Sequence, residues 1–170
     1  MYSSKKRHIV ILTDFVLLTL SLILHFNSLF SLKIYGVNPM LPLAFLVAIS
    51  IFSSEIYSVM SALLVGIFVD SVSSVSFGFN TCIFMVIALF VALTSHYLFN
   101  NNVRAASALA ASSSFIYFVL RWFFFDAITH SVRDSFTYLY KIALPSALYT
   151  AIVSVLIFLL KKLINKKFNF

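Results

Sequence analysis

The chain has 170 residues, of which 62% are apolar and only 10% are charged, and its mean hydropathy is +1.04. This composition excludes a water-soluble globular fold, because too few polar residues remain to cover a soluble surface. The net charge is +7, but the lysines and arginines lie at the ends of apolar runs. The basicity therefore predicts contact with anionic lipid headgroups and no nucleic acid partner. Cys82 is the only cysteine, which excludes an intrachain disulfide.

Apolar segments close to bilayer length recur along the chain, and about 20 helical residues cross about 30 Å of hydrocarbon. The sequence therefore predicts an all-α integral membrane protein, a bundle of about six transmembrane helices in a single membrane-embedded domain, residues 1–170. The predicted spans are 9–26, 39–53, 56–75, 79–98, 105–128 and 142–160.

The first segment follows the basic residues Lys5, Lys6 and Arg7, as the start of a secretory signal would. Asp14 interrupts the apolar run, however, and no small-residue cleavage pattern follows it. We predict a retained first span, with a cleaved signal as the alternative. Asp14 is expected to pair with the basic N-terminus.

The second segment, 39–53, is short, at about 22 Å of helix. It is either a thin span or a re-entrant piece. Joining it to the third segment would give a helix of about 55 Å and would bury Glu55 in mid-membrane. A tight helical hairpin that turns at residues 53–55 is the better prediction.

Basic residues flank the first and last spans, which favours an even number of crossings with both termini in the cytoplasm. Five spans would place one basic end outside. The residues concerned are Lys5, Lys6, Arg7, Lys161, Lys162, Lys166 and Lys167.

Two segments carry a stripe of small side chains that ends in a charge, and such stripes let neighbouring helix backbones approach closely. In the third segment the stripe is Ala62, Gly66, Asp70 and Ser73. In the fifth segment it is Ala106, Ala110, Ser114, Tyr117 and Arg121.

Asp70 and Arg121 are predicted to lie within about 3 Å of the same depth in the membrane. We therefore expect them to form an intramembrane polar pair, since an unpaired charge near the bilayer centre costs about 3 kcal/mol or more. Two alternatives stay open: both side chains reach the outer interface instead, or Arg121 pairs with Asp126.

Residues typical of catalysis or metal binding do not cluster. The four histidines are scattered, and no motif of a metalloprotease, serine hydrolase or phosphate-binding loop occurs. The sequence predicts no enzyme activity, no cofactor and no metal site.

The stretch from Gly66 through Asp70 to Gly78 and Asn80 resembles the MreD family of rod shape-determining proteins. Its G-x-x-x-D element leads into a serine-rich turn and a second glycine, although Ser74 stands where many members have glycine. Pro39 before a short second span and a basic tail also fit. The resemblance implies a scaffold of the cell-elongation machinery in the bacterial plasma membrane. It would work with MreC and MreB to organise lateral peptidoglycan synthesis, with Gly66, Ser73, Gly78, Asn80 and the alanine stripe as packing or partner contacts.

Two functions from other classes remain open. The first is a substrate-binding subunit of a vitamin transporter of the energy-coupling-factor type, whose fold is thought to be related. Such subunits usually carry Ala or Gly docking positions on their first helix, and residues 9–26 contain neither. The second is a small channel or proton-coupled carrier that uses Asp70 and Arg121.

Overall fold

A computed structural model describes residues 2–27, 38–73, 78–98, 103–127, 137 and 139–167. In this part of the chain the protein is all-helical and has no strand, which confirms the predicted fold class. The helices are α1 (Tyr2–Phe26), α2 (Leu41–Ser50), α3 (Glu55–Val72), α4 (Phe79–Leu98), α5 (Val103–Arg121) and α6 (Leu144–Lys167). A π-helical segment, Trp122–Ala127, continues α5, and a second one, Leu139–Ala143, leads into α6.

Four helical regions are long and apolar enough to cross a membrane: Glu55–Val72, Phe79–Tyr97, Ala106–Phe125 and Leu139–Leu163. Two apolar helices are shorter, Ile11–Phe26 and Leu41–Ser50. A helix thus lies at each of the six predicted positions. The number of complete crossings stays a prediction.

Helix α2 forms the centre of the bundle. It contacts all five other helices, and nine of its ten residues are buried. A helix that is apolar on every side is expected in such a position, because no face needs to meet water. Helix α2 is about 15 Å long, which is half the thickness of the hydrocarbon core of a bilayer. It begins later and ends earlier than the predicted segment 39–53.

Both ends of α2 are held by side chains from other helices. The Met40 N–H donates a hydrogen bond to Thr150 Oγ1 of α6 at 3.0 Å, and Ser95 Oγ of α4 donates one to the Ile51 carbonyl at 3.0 Å. Backbone groups at membrane depth need protein partners, since lipid offers none. The turn to α3 follows over residues 51–54, close to the predicted hairpin turn at 53–55.

Many large apolar side chains lie on the outer surface of the bundle, and many small polar ones are buried beside its apolar core. Leu12, Ile56, Val86 and Leu148 are exposed. The buried polar residues include Ser21, Ser50, Ser58, Ser113, Ser114, Ser146, Thr150 and Ser154. Several of their hydroxyls donate to a carbonyl one turn earlier in the same helix. This distribution suits a lipid-exposed surface and close helix packing within a membrane protein.

Candidate functional site

The Asp70 carboxylate lies in the last turn of α3 and is 3% exposed. Oδ2 accepts hydrogen bonds from the Gly78 N–H at 3.1 Å, the Thr81 N–H at 3.0 Å and Thr81 Oγ1 at 2.5 Å. Oδ1 accepts from the Asn80 N–H at 3.1 Å and Asn80 Nδ2 at 2.9 Å. The carboxylate therefore caps the N-terminus of α4, where unpaired backbone N–H groups and the helix dipole both favour a negative charge.

Two glycines make this cap possible. A Cβ at Gly66, one turn before Asp70, would lie 2.4 Å from Thr81 Cα, so only glycine lets α3 and α4 approach this closely. Gly78 has a φ of +94°, a conformation that side chains other than glycine rarely adopt, and its N–H points at Asp70. The G-x-x-x-D element thus combines one close backbone approach with one helix cap.

A chain of polar contacts connects the Asp70 cap to two more helices. Tyr117 of α5 is fully buried, and its hydroxyl donates to Asn80 Oδ1 at 2.8 Å. The same hydroxyl lies 3.9 Å from Met40 Sδ at the start of α2. Asn80 uses its amide nitrogen for Asp70 and its amide oxygen for Tyr117. The contacts therefore join α3, α4, α5 and the start of α2.

A small cavity lies beside this chain of contacts, with a volume of about 210 Å³. Ser73 and Arg121 line it together with Asn80 and Tyr117. Its other lining residues are His25, Phe26, Met40, Val69 and Phe79. We call it the Arg121 cavity.

Phe79 connects the Arg121 cavity to the π-helical continuation of α5. Its ring packs edge-on against Phe125, with centroids 4.7 Å apart, and against Phe124 at 5.8 Å. Single-turn π segments are frequent at functional sites because they shift the side chains that follow. Here the segment begins directly after Arg121.

The remaining predicted packing residues fall in the core. Ala62, Ala106 and Ala110 are buried in the central apolar cluster. All five hydrogen bonds shown for Asp70 come from residues 78–81, and a contact with Arg121 is not among them. The Asp70–Arg121 pair stays a prediction, and the side chain of Asp126 lies outside the described residues.

A second buried charge site lies at the opposite end of the bundle. Lys161 Nζ of α6 lies 2.8 Å from Asp14 Oδ1 of α1, and the two side chains are 4% and 1% exposed. The same ammonium lies 5.9 Å from the centre of the Phe52 ring. The sequence did not predict this partner, and the expected pairing of Asp14 with the basic N-terminus involves side chains that lie outside the described residues. The partner comes from a distant part of the chain, because α6 brings its last turns beside the middle of α1.

The Asp14–Lys161 pair and the Arg121 cavity lie about 16 Å apart along α1, measured from Asp14 to His25, which lines the cavity. The Arg121 cavity is built from the ends of α1, α3 and α5 and the starts of α2 and α4. Successive helices from α1 to α5 therefore alternate in direction.

Sequence reasoning identified Asp70 but missed what its carboxylate binds. Thr81, the third residue of α4, supplies two of the five donors, and a threonine inside the first turn is not one of the residues that signal a helix cap. Lys161 was counted as part of a basic tail. No signal in a single sequence shows that one member of such a tail is buried.

A family model described as rod shape-determining protein MreD matches residues 4–167. A search of curated proteins and a search of solved structures each found no match.

Proposed function

The chain belongs to the MreD family of rod shape-determining proteins, and from this premise we propose that it is a non-enzymatic scaffold of the cell-elongation machinery. In this role it would sit in the bacterial plasma membrane, cross it several times, and help MreC and MreB to organise lateral peptidoglycan synthesis. The family match over residues 4–167 carries the proposal, because it covers almost the whole chain.

The distribution of the described residues supports a scaffold. Six helices account for most of the chain, so partners can be reached mainly through helix faces, short connections and the basic ends. Among the residues that the structure describes, no three His, Cys, Asp or Glu side chains are grouped in a way that could hold a metal ion. The buried carboxylates, Asp14 and Asp70, are bound to other parts of the bundle. These contacts favour a structural role for both.

An apolar groove between α1 and α3 supports docking of a partner's membrane helix. The groove has a volume of about 600 Å³ and runs from Ile11 to Ile23 on α1 and from Tyr57 to Phe68 on α3. It is therefore about 17 Å long. The two helices touch only sparsely along it, whereas α3 and α4 pack closely. A helix in this groove would gain packing contacts that lipid chains make less well.

The Asp14–Lys161 contact supports the expected arrangement of the termini. Thr150 of α6 lies at the start of α2, near the end of α1, and Lys161 lies beside the middle of α1. Helix α6 therefore runs antiparallel to α1, which favours one end of the bundle for both basic ends of the chain. Basic ends that share one side favour the cytoplasm for both.

Depletion of the protein in its own cells tests the rod-shape function. We expect rods to become round and to recover their shape when the intact chain is restored. Cells that remain rods under full depletion would contradict the proposal.

The docking surface has its own test. Met60 lies in the α1–α3 groove and is 55% exposed, whereas Leu148 is 66% exposed on α6. Met60→Trp would fill the groove, and we expect it to reduce co-purification of MreC at least tenfold. Leu148→Trp is the matched control and should leave MreC bound. Equal recovery of MreC with both variants would show that the groove is not the docking surface.

Vitamin binding is the rival that can be tested directly. The Arg121 cavity, at about 210 Å³, is smaller than the roughly 300–1,000 Å³ of ordinary small-molecule sites. Calorimetry on the purified protein with B vitamins is expected to give no heat of binding. Tight binding of any vitamin would overturn the scaffold proposal.

A further inference from the structure

Apolar character does not determine which face of α1 packs against the bundle. Large apolar side chains lie on its exposed side as well as in the core. The exposed ones include Leu12, Val16, Leu20 and Ile23, and the buried ones are Leu18 and Leu22. Lipid chains are as apolar as leucine, so the burial of one apolar face in place of another gains little within a membrane. The rotation of α1 about its own axis must therefore be fixed by contacts of another kind.

Polar side chains of α1 make such contacts. Asp14 Oδ1 lies 2.8 Å from Lys161 Nζ of α6, and the His25 ring donates a hydrogen bond to the Pro39 carbonyl at the other end of α1. Ser21 differs, because its buried hydroxyl donates to a carbonyl of α1 itself. Within the described residues the backbones of α1 and α6 stay apart, so the long lysine side chain spans the gap. Asp14 therefore ties the middle of α1 to a helix that α1 does not otherwise pack against closely.

The Asp14–Lys161 pair is poorly suited to a purely stabilising role. Both side chains are almost fully buried, and Asp14 Oδ2 has no hydrogen-bond partner among the described residues. The removal of two charges from water offsets much of their attraction unless further hydrogen bonds complete the pair. We expect the main contribution of this pair to be orientation, because the two charges meet in one rotation of α1 and separate in others.

Asp14 lies beside the α1–α3 groove. Its neighbours Ile11 and Phe15 line the groove, and its carboxylate interacts electrostatically with Tyr57, a groove residue of α3. Helix α1 packs mainly against α2 and touches α3 only sparsely, so packing against α3 does little to set the shape of the groove. A rotation of α1 by one residue, about 100°, would carry Phe15 out of the groove and Asp14 away from Lys161.

We propose that the Asp14–Lys161 pair is a positioning contact, which fixes the rotation of α1 and thereby the shape of the α1–α3 groove. Positioning is a property of this chain alone and can be measured without a partner. Its effect on docking rests on the proposed function, in which a membrane helix of MreC occupies the groove. The pair then determines whether Ile11 and Phe15 face that helix.

Spin labels measure the position of α1 in the full-length protein in lipid nanodiscs. Cys82 is exposed and is first replaced by serine. Labelled cysteines then replace Val16 of α1 and Ile67 of α3, which are exposed and do not line the groove. Pulsed electron paramagnetic resonance gives the distribution of distances between the two labels. A second pair of labels, at the exposed residues Val86 of α4 and Ile116 of α5, is the control, since neither helix carries the ion pair.

Two double variants separate positioning from stability. Asp14→Leu with Lys161→Met removes both charges and is expected to unfold near the temperature of the parent protein. Its α1–α3 distances should nevertheless spread over at least about twice the width found in the parent. Asp14→Lys with Lys161→Asp exchanges the charges and should keep the distribution of the parent. The α4–α5 distances should stay the same in both variants.

Either folded variant can overturn the proposal. An unchanged α1–α3 distribution in the uncharged variant would show that the pair does not position α1. A broadened distribution in the charge-exchange variant, at matched thermal unfolding, would show that an ion pair at this place is not what positions it. If the uncharged protein does not fold, Asp14→Ala with Lys161→Ala takes its place.

Recovery of MreC is measured with the same variants. We expect the uncharged variant to co-purify at least about threefold less MreC, because the orientation that binds is populated less, and the charge-exchange variant to match the parent. Broadened distances with unchanged recovery of MreC would confirm the positioning role and refute the groove as the docking surface. Unchanged distances would overturn the positioning role whatever amount of MreC is recovered, and Met60→Trp would still test docking.

Discussion

Replacement of Asp70 by alanine tests the helix cap directly. Asp70→Ala removes the acceptor of three backbone N–H groups, one just before α4 and two in its first turn, and of two side-chain donors. Each buried donor left without a partner costs about 1–3 kcal/mol, and a lost helix cap alone about 1 kcal/mol. The side-chain donors can turn away, so only the backbone donors are counted. At 1 to 1.5 kcal/mol each, they predict a loss of about 3–5 kcal/mol in the free energy of unfolding.

The loss can be measured with the protein's own fluorophore. Trp122 is the only tryptophan and directly follows α5, so its emission reports on that end of the bundle. Unfolding by sodium dodecyl sulfate in mixed micelles gives the midpoint for each variant. Glu55→Gln is the matched control, since it removes the acid in the first turn of the same helix. We expect this control to shift stability by less than about 0.5 kcal/mol.

A charge exchange separates the cap from the predicted Asp70–Arg121 pair. Arginine cannot accept hydrogen bonds, so Asp70→Arg combined with Arg121→Asp would leave the α4 donors unpaired. If the Asp70 carboxylate acts as the helix cap, the double variant is expected to be no more stable to unfolding than either single variant. Recovery of most of the lost stability would refute the reasoning and support the pair. A loss of less than about 1 kcal/mol for Asp70→Ala would refute it as well.

Three further variants test the remaining contacts. Gly66→Ala places a Cβ 2.4 Å from Thr81 Cα, so α3 and α4 must separate, and we expect a loss of about 1–3 kcal/mol in the same unfolding assay. Asp14→Asn leaves the buried Lys161 ammonium without its counter-charge and should cost about 3–5 kcal/mol, whereas Asp14→Leu combined with Lys161→Met should recover most of that loss. Tyr117→Phe removes one buried hydrogen bond, and we expect a loss of about 1 kcal/mol by thermal unfolding in detergent.

Exposed positions supply the controls for these variants. Leu64→Ala changes a lipid-facing position on the helix of Gly66 and should leave the unfolding midpoint nearly unchanged, because lipid replaces the contacts. Tyr97→Phe removes the hydroxyl of an exposed tyrosine on α4 and is the control for Tyr117→Phe. A loss at Gly66 no greater than at Leu64 would contradict the close approach of α3 and α4. If the Asp14→Leu, Lys161→Met double variant does not regain the stability that Asp14→Asn loses, the description of Asp14 and Lys161 as a buried ion pair would be contradicted.

The helical class and the positions of the helices could be predicted because apolar runs of bilayer length are a strong signal. Helix α4 begins and ends at the predicted residues, 79 and 98. Both ends of α2 were harder to predict, because its start is held by Thr150 and its end by Ser95, which belong to other helices. The partner of Asp14 could not be predicted at all, since Lys161 lies 147 positions further along the chain.

The Asp70 site was predicted in part. The spacing of Gly66 and Asp70 showed that a charge follows a small residue on one helix face, and the structure places both against Thr81. Spacing alone cannot distinguish a carboxylate that caps the next helix from one that meets a cation. That distinction needs the turn at Gly78, whose positive φ points its N–H back towards α3.

The burial of nearly all of α2 has a consequence for the order of folding. A segment of about 15 Å is too short to be stable in a bilayer by itself, so it depends on its neighbours for insertion. One of those neighbours is α6, whose Thr150 binds the backbone just before α2 from 110 positions further along the chain. Residues 41–50 therefore gain their full set of contacts only after α6 has been synthesised. The core of the bundle is completed by a helix that enters the membrane after α1 to α5.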